Sequence, residues 1–343
     1  MGARTTSTLI CVACMMALIA TAFAPGPVAE GASRTAGCDR FISPRGSDRG
    51  RHRGTQSRPF RSLRRLANSL RRGQMGCLYP GSYRHGTPVR LRRPRTALRG
   101  LAGGAVRVDG AIWVQGPARG ASVSKLRLTA SDPVYDIPLK VLADDVRVTR
   151  NLIYGSDSSI CVLVGSHRLA HRTRIERNRI SRCGTRDKFD HLIYLQQTRH
   201  AIVRNNLLTY NAGGWAVHMY PDADETVVER NTMDGNQGGV IFAGDGTGPT
   251  SDRNVVRFNV ITFSNPRWNI EGSWSDGPVG QGNRAHDNCL YTEGPDAPAG
   301  IAVFDGFTAD RNVAVAASPY MARPMGDYRL APTSGCLARS GAR

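Results

Sequence analysis

The chain has 343 residues, enough for one large elongated domain or two compact ones. Its 46 Lys and Arg residues outnumber its 27 Asp and Glu residues; the net charge of +19 favours a polyanionic partner, although an arginine-rich proteome explains the excess equally well. The sequence contains no RNP, zinc-finger or helix-turn-helix pattern, so we predict no nucleic-acid binding. For an exported protein, an acidic polysaccharide is the more natural polyanion.

The N-terminus has the layout of a secretory signal peptide. Arg4 precedes the apolar stretch Leu9 to Ala24, which at 16 residues is shorter than the ~20 that a membrane-spanning helix needs. Small residues follow it, and Ala22-Phe23-Ala24 and the later Gly31-Ala32 are candidate cleavage sites. We predict a signal peptide over residues 1–32 and a secreted mature protein with no membrane segment. A retained anchor helix is the alternative.

Residues 33–95 are predicted to form an N-terminal cap and the first coils of a repeat. Between Pro59 and Gly73, the apolar residues Phe60, Leu63, Leu66, Ala67 and Leu70 fall on one face of a helix. An amphipathic helix here can cover the open end of a sheet structure, whose unpaired strand edges would otherwise be exposed.

An internal repeat follows, in residues 96–320. Six segments share the form apolar-x-x-Asn-x-apolar, and their asparagines are Asn151, Asn178, Asn206, Asn231, Asn259 and Asn288. The spacing of 25 to 29 residues is typical of one solenoid coil made of three short strands. Because asparagine tolerates left-handed backbone and hydrogen-bonds turns, the column is interpreted as a structural ladder. We therefore predict an all-β fold, a single-stranded right-handed parallel β-helix, followed by a C-terminal tail over residues 321–343.

The second strand of each coil is predicted to carry the candidate site. Period-two alternation turns Val162, Ile193, Val217, Ile241, Ile270 and Ala302 inward. The first outward column is then Leu163, Tyr194, His218, Phe242, Glu271 and Val303. The second is Gly165, Gln196, Tyr220, Gly244, Ser273 and Asp305.

Six cysteines remain after removal of the predicted signal peptide: Cys38, Cys77, Cys161, Cys183, Cys289 and Cys336. An even number in an exported chain indicates disulfides, and metal binding is the weaker interpretation because no zinc-like spacing occurs. Our hypothesis is sequential pairing. The first bridge would staple the cap, the second would join neighbouring coils and the third would fix the C-terminal tail.

The N-terminal segment resembles exported bacterial right-handed β-helix proteins. The resemblance rests on Phe41-Ile-Ser-Pro-Arg-Gly-Ser-Asp48, on Gly54-Thr55 and Pro59-Phe60, and on Tyr79-Pro-Gly-Ser-Tyr83, followed by the Asn-punctuated coils. The resemblance covers roughly residues 38–320. Over this range the chain is similar to proteins of the pectate-lyase-like superfamily. That superfamily includes polysaccharide lyases, hydrolases, uronate epimerases and non-catalytic proteins, so the resemblance implies the fold and not the chemistry.

The outward columns contain groups suited to β-elimination on a uronate. This reaction needs a base, an acid and a group that neutralises the carboxylate. His218 or Lys188 could be the base and Tyr220 or Tyr194 the acid. A cation from Arg186, Arg204 or a bound Ca²⁺ could neutralise the carboxylate. The remaining predicted substrate-binding residues are His191, Gln196, Phe242, Glu271 and Asp305.

Several alternatives remain open at this stage. Asp222 and Asp224 could bind Ca²⁺, although carboxylates in a turn are usually solvated; no other cofactor is predicted. Glu271 with Asp305 or Asp222 would suit an inverting hydrolase. We therefore predict a monomeric lyase acting on an acidic polysaccharide. A hydrolase, an epimerase, or a non-catalytic glycan-binding or surface protein is the alternative.

Overall fold

The computed structural model describes residues 36–337 except 51, 103, 156–158, 185, 187–188, 245, 247, 273–278, 294–299 and 304–305. The predicted signal peptide lies outside these residues. Every helix and strand named below belongs to the unit Gly37–Arg343. In the described part of the chain, no helix has the length and hydrophobicity needed to cross a bilayer.

Three parallel sheets form the body of the fold, and successive coils contribute one strand to each of them. This is the predicted right-handed parallel β-helix. The 11 strands of sheet A are β1 (Arg40–Ile42), β2 (Met75–Leu78), β5 (Ala97–Gly100), β8 (Ser122–Ser124), β11 (Arg147–Thr149), β14 (Arg174–Glu176), β17 (Ile202–Arg204), β20 (Val227–Glu229), β23 (Val255–Arg257), β26 (Asn283–His286) and β29 (Phe307–Asp310).

Sheets B and C complete each coil. The ten strands of sheet B are β3 (Gly81–Arg84), β6 (Val106–Asp109), β9 (Arg127–Thr129), β12 (Leu152–Tyr154), β15 (Arg179–Ser181), β18 (Leu207–Thr209), β21 (Thr232–Asp234), β24 (Val260–Thr262), β27 (Cys289–Tyr291) and β30 (Val313–Ala314). The nine strands of sheet C are β4 (Val89–Leu91), β7 (Ile112–Val114), β10 (Leu139–Val141), β13 (Val162–Val164), β16 (Ile193–Arg199), β19 (Trp215–Asp224), β22 (Gly238–Phe242), β25 (Ile270–Gly272) and β28 (Ile301–Ala302).

The asparagine column forms the predicted ladder in the turn between sheets A and B. Asn206 is representative: its Nδ2 donates to the carbonyl of Ile175 (2.8 Å) and to Oδ1 of Asn231 (3.0 Å). Its own Oδ1 accepts from the backbone N–H (2.9 Å) and Nδ2 (3.0 Å) of Asn178. The ladder extends to Asn312, in a seventh coil. Each buried amide thus satisfies backbone groups that the turn leaves without strand partners.

Inward side chains of the three sheets pack into one continuous hydrophobic core. In sheet A the pairing register aligns Val148, Ile175, Val203, Val228, Val256 and Ala285, all of them buried. Valine, or an apolar residue close to it in size, recurs in each coil because every inward position is stacked on its equivalent about 4.8 Å away. The alignment of the coils predicted from the asparagine repeat is therefore confirmed in sheet A.

One short helix, α1 (Leu63–Ser69), lies at the N-terminal end of the coils. It is shorter than the predicted stretch from Pro59 to Gly73, because the Ser62 side chain caps it by accepting from the Arg65 N–H and the chain becomes extended at Leu70. The helix contacts β1 and β4, the terminal strands of sheets A and C. Leu66 packs against Gly76, where any side chain would collide with it. The predicted capping helix is therefore confirmed with shorter bounds.

The C-terminal segment forms an antiparallel hairpin of β31 (Tyr320–Ala322) and β32 (Asp327–Leu330), joined by a 3₁₀ turn at Arg323–Met325. Arg323 Nε pairs with the buried Asp234 (2.9 Å), and the Tyr320 hydroxyl lies 2.9 Å from the Thr262 hydroxyl. The hairpin therefore packs along the outer surface of sheet B.

All three predicted disulfides are present. They join Cys38 to Cys77, Cys161 to Cys183 and Cys289 to Cys336, across 39, 22 and 47 residues. The first ties the segment before β1 to β2, the second joins neighbouring coils and the third ties β27 to the chain that follows the hairpin.

Replacing Cys289 and Cys336 together with alanine is expected to release this hairpin. The bridge closes the longest of the three loops, so its loss should lower the free energy of unfolding by about 2–4 kcal/mol. Hydrogen exchange at the β31 and β32 amides measures the release. Removing the Cys161–Cys183 bridge is the matched control, and equal loss of hairpin protection in both variants would contradict this account.

Candidate functional site

The outward face of sheet C carries the predicted cluster. Pairing register places Leu163, Tyr194, His218, Ile241, Glu271 and Ala302 in one column across adjacent strands. β16 and β19 are the longest strands of this sheet, and their pairing shifts between Leu195 and Gln197. Such an irregularity re-aims side chains locally and is frequent beside functional sites.

The predicted register is wrong in β22 and β28, whereas in β25 Ile270 points inward and Glu271 outward, as predicted. Val240, not Ile241, is the inward partner of Val217, and Ile301, not Ala302, is the inward partner of Ile270. Phe242 therefore points into the core, where its ring packs 4.9 Å from that of Phe307. It cannot stack on a sugar bound to the outer surface, and Ile241 takes its place in the outward column.

His218 is enclosed between two tyrosine rings. The Tyr194 ring, one strand away, stacks on the imidazole with centroids 5.1 Å apart and an interplanar angle of 19°. The Tyr220 ring, on the same strand as His218, lies 5.7 Å from the imidazole. Both tyrosines are partly exposed, whereas His218 is only 3% exposed. The accessible part of the cluster is therefore phenolic, and the imidazole lies behind it.

His191 and His218 form a directly bonded pair, with His218 Nδ1 and His191 Nε2 2.5 Å apart. His191 was predicted to contact substrate, but it is 2% exposed and forms the inner end of the cluster. Burial lowers the pKa of His218 to about 3. Burial, and then repulsion from His218, holds the pKa of His191 well below its usual range. At neutral pH both rings are uncharged and share one proton across an N–H···N bond.

The histidine pair should make stability fall in acid. Unfolded histidine has a pKa near 6.5, so below that pH the unfolded chain binds protons that the folded pair rejects, down to about pH 3 for His218. The free energy of unfolding should drop by roughly 1 kcal/mol per pH unit for each histidine. Urea unfolding between pH 7 and 4 measures this slope. The variant with His191→Gln and His218→Gln should show a shallower slope, and parallel curves would refute the assignment.

Burial also raises the pKa of Tyr194, and the nearby Tyr220 adds to the effect. The Tyr194 hydroxyl therefore keeps its proton at neutral and moderately alkaline pH. An uncharged imidazole beside a protonated phenol is a pair that can accept a proton at one group and donate one at the other.

Trp215, Glu271 and Arg267 form a buried linkage beside the cluster. Trp215 Nε1 donates to Glu271 Oε1 (2.5 Å), and Arg267 Nη2 donates to Glu271 Oε2 (2.6 Å). Burial raises the pKa of Glu271, although Arg267 and Trp215 oppose the rise. Glu271 was predicted to contact substrate, but it is 2% exposed and both its oxygens are engaged. Its role in this structure is to hold Trp215, whose ring lies 5.2 Å from that of His218.

Trp215 and Arg267 are the members of the cluster that sequence reasoning missed. Trp215 shares the inward parity of β19, yet it belongs to a separate small cluster with Ile241 and Ala243. Its contact with Glu271 spans 56 residues. No local pattern in the sequence signals such a contact. The one visible sign was a tryptophan, Trp215, on the same strand as His218.

Arg186 lies at the entrance to β16. Its Nη2 donates to Asp190 Oδ1 (2.9 Å), and its backbone N–H donates to Asp190 Oδ2 (2.8 Å). Asp190 is fully buried, so Arg186 is anchored beside His191 with part of its side chain exposed. Gln196, half-buried, follows Tyr194 by two residues along β16. Lys188 and Asp305, predicted as base and substrate ligand, lie outside the described residues.

Arg204 does not belong to this face. It lies on β17 in sheet A, where its Nε is 2.7 Å from Glu176 Oε1 and its Nη1 4.0 Å from Glu229 Oε1. These contacts belong to a ladder of alternating Glu and Arg side chains on the outer face of sheet A. The prediction that Arg204 neutralises a substrate carboxylate on sheet C is therefore wrong.

The two predicted calcium ligands do not form a metal site with other described residues. Asp224 is nearly buried; its Oδ1 accepts from the Asp252 N–H (3.0 Å) and its Oδ2 lies 3.3 Å from Arg199 Nε. Burial and then the neighbouring Asp224 raise the pKa of Asp222. Within the ranges that the structure describes, no group of three or more His, Cys, Asp or Glu side chains is arranged to hold an ion.

Comparison with known proteins identifies the fold. Residues 138–256 match the family model described as the right handed beta helix region. No curated protein matches the sequence significantly. Among solved structures, an alginate lyase from Paenibacillus sp. str. FPU-7 has 14% identity and a TM-score of 0.59, over 74% of this chain and 93% of that one. The pectate lyase Pel9A has 12% identity and a TM-score of 0.59, over 88% and 92%.

A third similar structure is the N-terminal fragment of the bacteriophage Phi29 gene product 12. It has 13% identity and a TM-score of 0.53, over 74% of this chain and 54% of that one. Identities this low indicate a shared fold and nothing finer. The chain has a right-handed parallel β-helix fold, as predicted, and shares that fold with the solved structures named above.

Proposed function

We propose that this protein is an exported lyase that cleaves an acidic, uronate-containing polysaccharide by β-elimination. The observation that carries the proposal is the uncharged His218 enclosed between Tyr194 and Tyr220 on the outward face of sheet C. Two proteins with a similar fold are named as an alginate lyase and a pectate lyase, which supports the substrate class. Three disulfides support export, since they persist mainly in oxidising compartments.

The chemistry assigns one proton transfer to each group. A base removes the proton from the carbon next to the uronate carboxylate, and the electron pair left behind becomes a carbon–carbon double bond. The bond from the adjacent carbon to the glycosidic oxygen breaks, and an acid protonates that oxygen as it leaves. His218 is the proposed base and Tyr194 the proposed acid. The second phenol, Tyr220, lies 5.7 Å from the imidazole and would contact the sugar.

The proposed role requires the tautomer of the histidine pair in which His218 carries its proton on Nδ1. When His218 Nδ1–H donates to His191 Nε2, the lone pair of His218 Nε2 is left to accept a proton. His191 is then a positioning residue that fixes the ring. Because His218 is nearly buried, one of the flanking tyrosines has to shift when substrate binds. An incoming carboxylate would also raise the pKa of His218 and strengthen it as a base.

A non-catalytic glycan-binding protein is the second candidate, and the burial of His218 favours it. In that case the tyrosines provide the contact surface, and the histidine pair only supports them. The two candidates differ in whether the glycan is cleaved.

The test is incubation of the purified protein with alginate, pectate, hyaluronan and chondroitin, each with and without Ca²⁺. A lyase creates an unsaturated uronate, which absorbs in the ultraviolet, and new reducing ends in equal number. New reducing ends without this absorbance would identify a hydrolase. Binding without either product would establish the second candidate.

A further inference from the structure

The outward column of sheet C continues toward the N-terminal end of the coils, beyond the tyrosine–histidine cluster. The pairing register places Arg90, Trp113, Lys140 and Leu163 in line with Tyr194, on the successive strands β4, β7, β10, β13 and β16. Arg90, Trp113 and Lys140 alternate along their strands with buried neighbours and are themselves partly exposed.

These three residues form one platform. The Arg90 guanidinium lies 4.9 Å from the centroid of the Trp113 ring, and Lys140 Nζ lies 5.6 Å from it on the next strand. The Tyr135 ring meets Trp113 edge-on at 5.9 Å. Trp113 offers an apolar surface for a sugar ring. The cations on the two neighbouring strands, Arg90 and Lys140, offer two positive charges for the carboxylates of an acidic polysaccharide.

The platform differs from the other outward cations of the fold. In sheet A, Arg204 and Arg257 are paired with Glu176 and Glu229. Among the ion pairs of the described residues, none involves Arg90 or Lys140. Their charges are therefore not neutralised by carboxylates within the described structure.

The net charge of the protein is concentrated at the same end. Residues 36–130 contain 21 Lys and Arg but three Asp and Glu, whereas residues 131–343 contain 23 of each kind. Because of this polarity, an acidic chain lying along sheet C meets an increasingly positive surface toward β4.

From these contacts we infer that Arg90, Trp113 and Lys140 form a second, remote binding site for the same acidic polysaccharide. The inference rests on the proposed function for the identity of the ligand. Trp113 lies three strands from Tyr194, about 14 Å at the usual spacing of strands. A long chain bound at Tyr194 reaches the platform, whereas a disaccharide bound there does not.

The experiment compares binding of intact alginate or polygalacturonate with binding of the corresponding disaccharide. All proteins carry Tyr194→Phe so that the polymer survives the titration. The test variant adds R90Q and K140Q. The matched control adds R71Q and R72Q, which remove two exposed charges from the same end of the molecule, in the segment between α1 and β2 and outside the strands of sheet C. Thermal unfolding confirms that each variant is folded.

The inference predicts at least about ten-fold weaker binding of the polymer by the test variant, since each lost charge-assisted contact is worth about a factor of ten. Binding of the disaccharide should be unchanged, and the control should stay within about two-fold of its parent. Equal losses in the test and control variants, or equal losses for polymer and disaccharide, would overturn it. If polymer binding depends on Arg90 and Lys140 but the protein forms no unsaturated product, the lyase assignment is overturned and the second binding site is retained.

Discussion

Tyr194→Phe is expected to lower the rate of elimination by a factor of about 10²–10⁴, the usual contribution of a positioned general acid. The substitution removes the hydroxyl alone, so the ring that stacks on His218 is retained. The burial that raises the pKa of Tyr194 keeps its proton available across the neutral range. Initial rates of double-bond formation on the best substrate give the measurement.

Tyr154→Phe is the matched control for this variant. Tyr154 is also a partly exposed strand tyrosine, but it lies on sheet B, where the Arg127 guanidinium packs over its ring at 4.7 Å. Its hydroxyl should contribute nothing to turnover. If Tyr194→Phe keeps the rate within a few-fold of wild type and His218→Gln abolishes it, the general acid is Tyr220 and not Tyr194. Loss of activity in neither variant would remove the cluster from catalysis.

Asn206→Leu is expected to be the most destabilising single change in the asparagine ladder. The amide of Asn206 makes four hydrogen bonds, two as donor and two as acceptor, and none of its partners is open to water. Leucine has similar volume but leaves these donors and acceptors unsatisfied, at about 1–3 kcal/mol each. Because neighbouring coils can relax, we expect a loss of roughly 3–5 kcal/mol in the free energy of unfolding, measured by urea denaturation.

Asn312→Leu provides the comparison within the same ladder. Asn312 forms equivalent bonds to Ala285 and Asn288, but it belongs to the last coil of the ladder and is partly exposed. Water can replace its amide there, so the loss should stay below about 2 kcal/mol. Equal losses at positions 206 and 312 would mean that the ladder is not stabilised by its buried amides.

The coils could be predicted from the sequence because one turn position in each coil requires the same residue type. The turn after each sheet A strand needs a side chain that bonds both to backbone and to its own equivalent, and asparagine satisfies this from Asn151 to Asn288. A fixed spacing follows, and with it the register of sheet A. The Cys161–Cys183 bridge could be predicted for the same reason, since the coil repeat places these two cysteines in neighbouring coils.

The register of sheet C is difficult to predict where the outward residues are apolar. In β16 and β19, Tyr194 and His218 mark the outer face. In β22, Val240, Ile241 and Phe242 are all buried, because Trp215 covers Ile241 from outside, so alternation gives no parity. The enclosure of His218 and the linkage of Glu271 to Trp215 depend on side chains from different coils, and such contacts leave no local signal.

Mass spectrometry of the products formed in ¹⁸O-labelled water tests the central proposal most directly. Elimination adds no water, so the account predicts unlabelled fragments, each new non-reducing end lacking one water relative to a hydrolysis product. Incorporation of one ¹⁸O atom per cleavage would show hydrolysis and contradict the assignment of His218 and Tyr194 as base and acid of a lyase. An intact polymer after incubation with each acidic polysaccharide would contradict catalysis altogether.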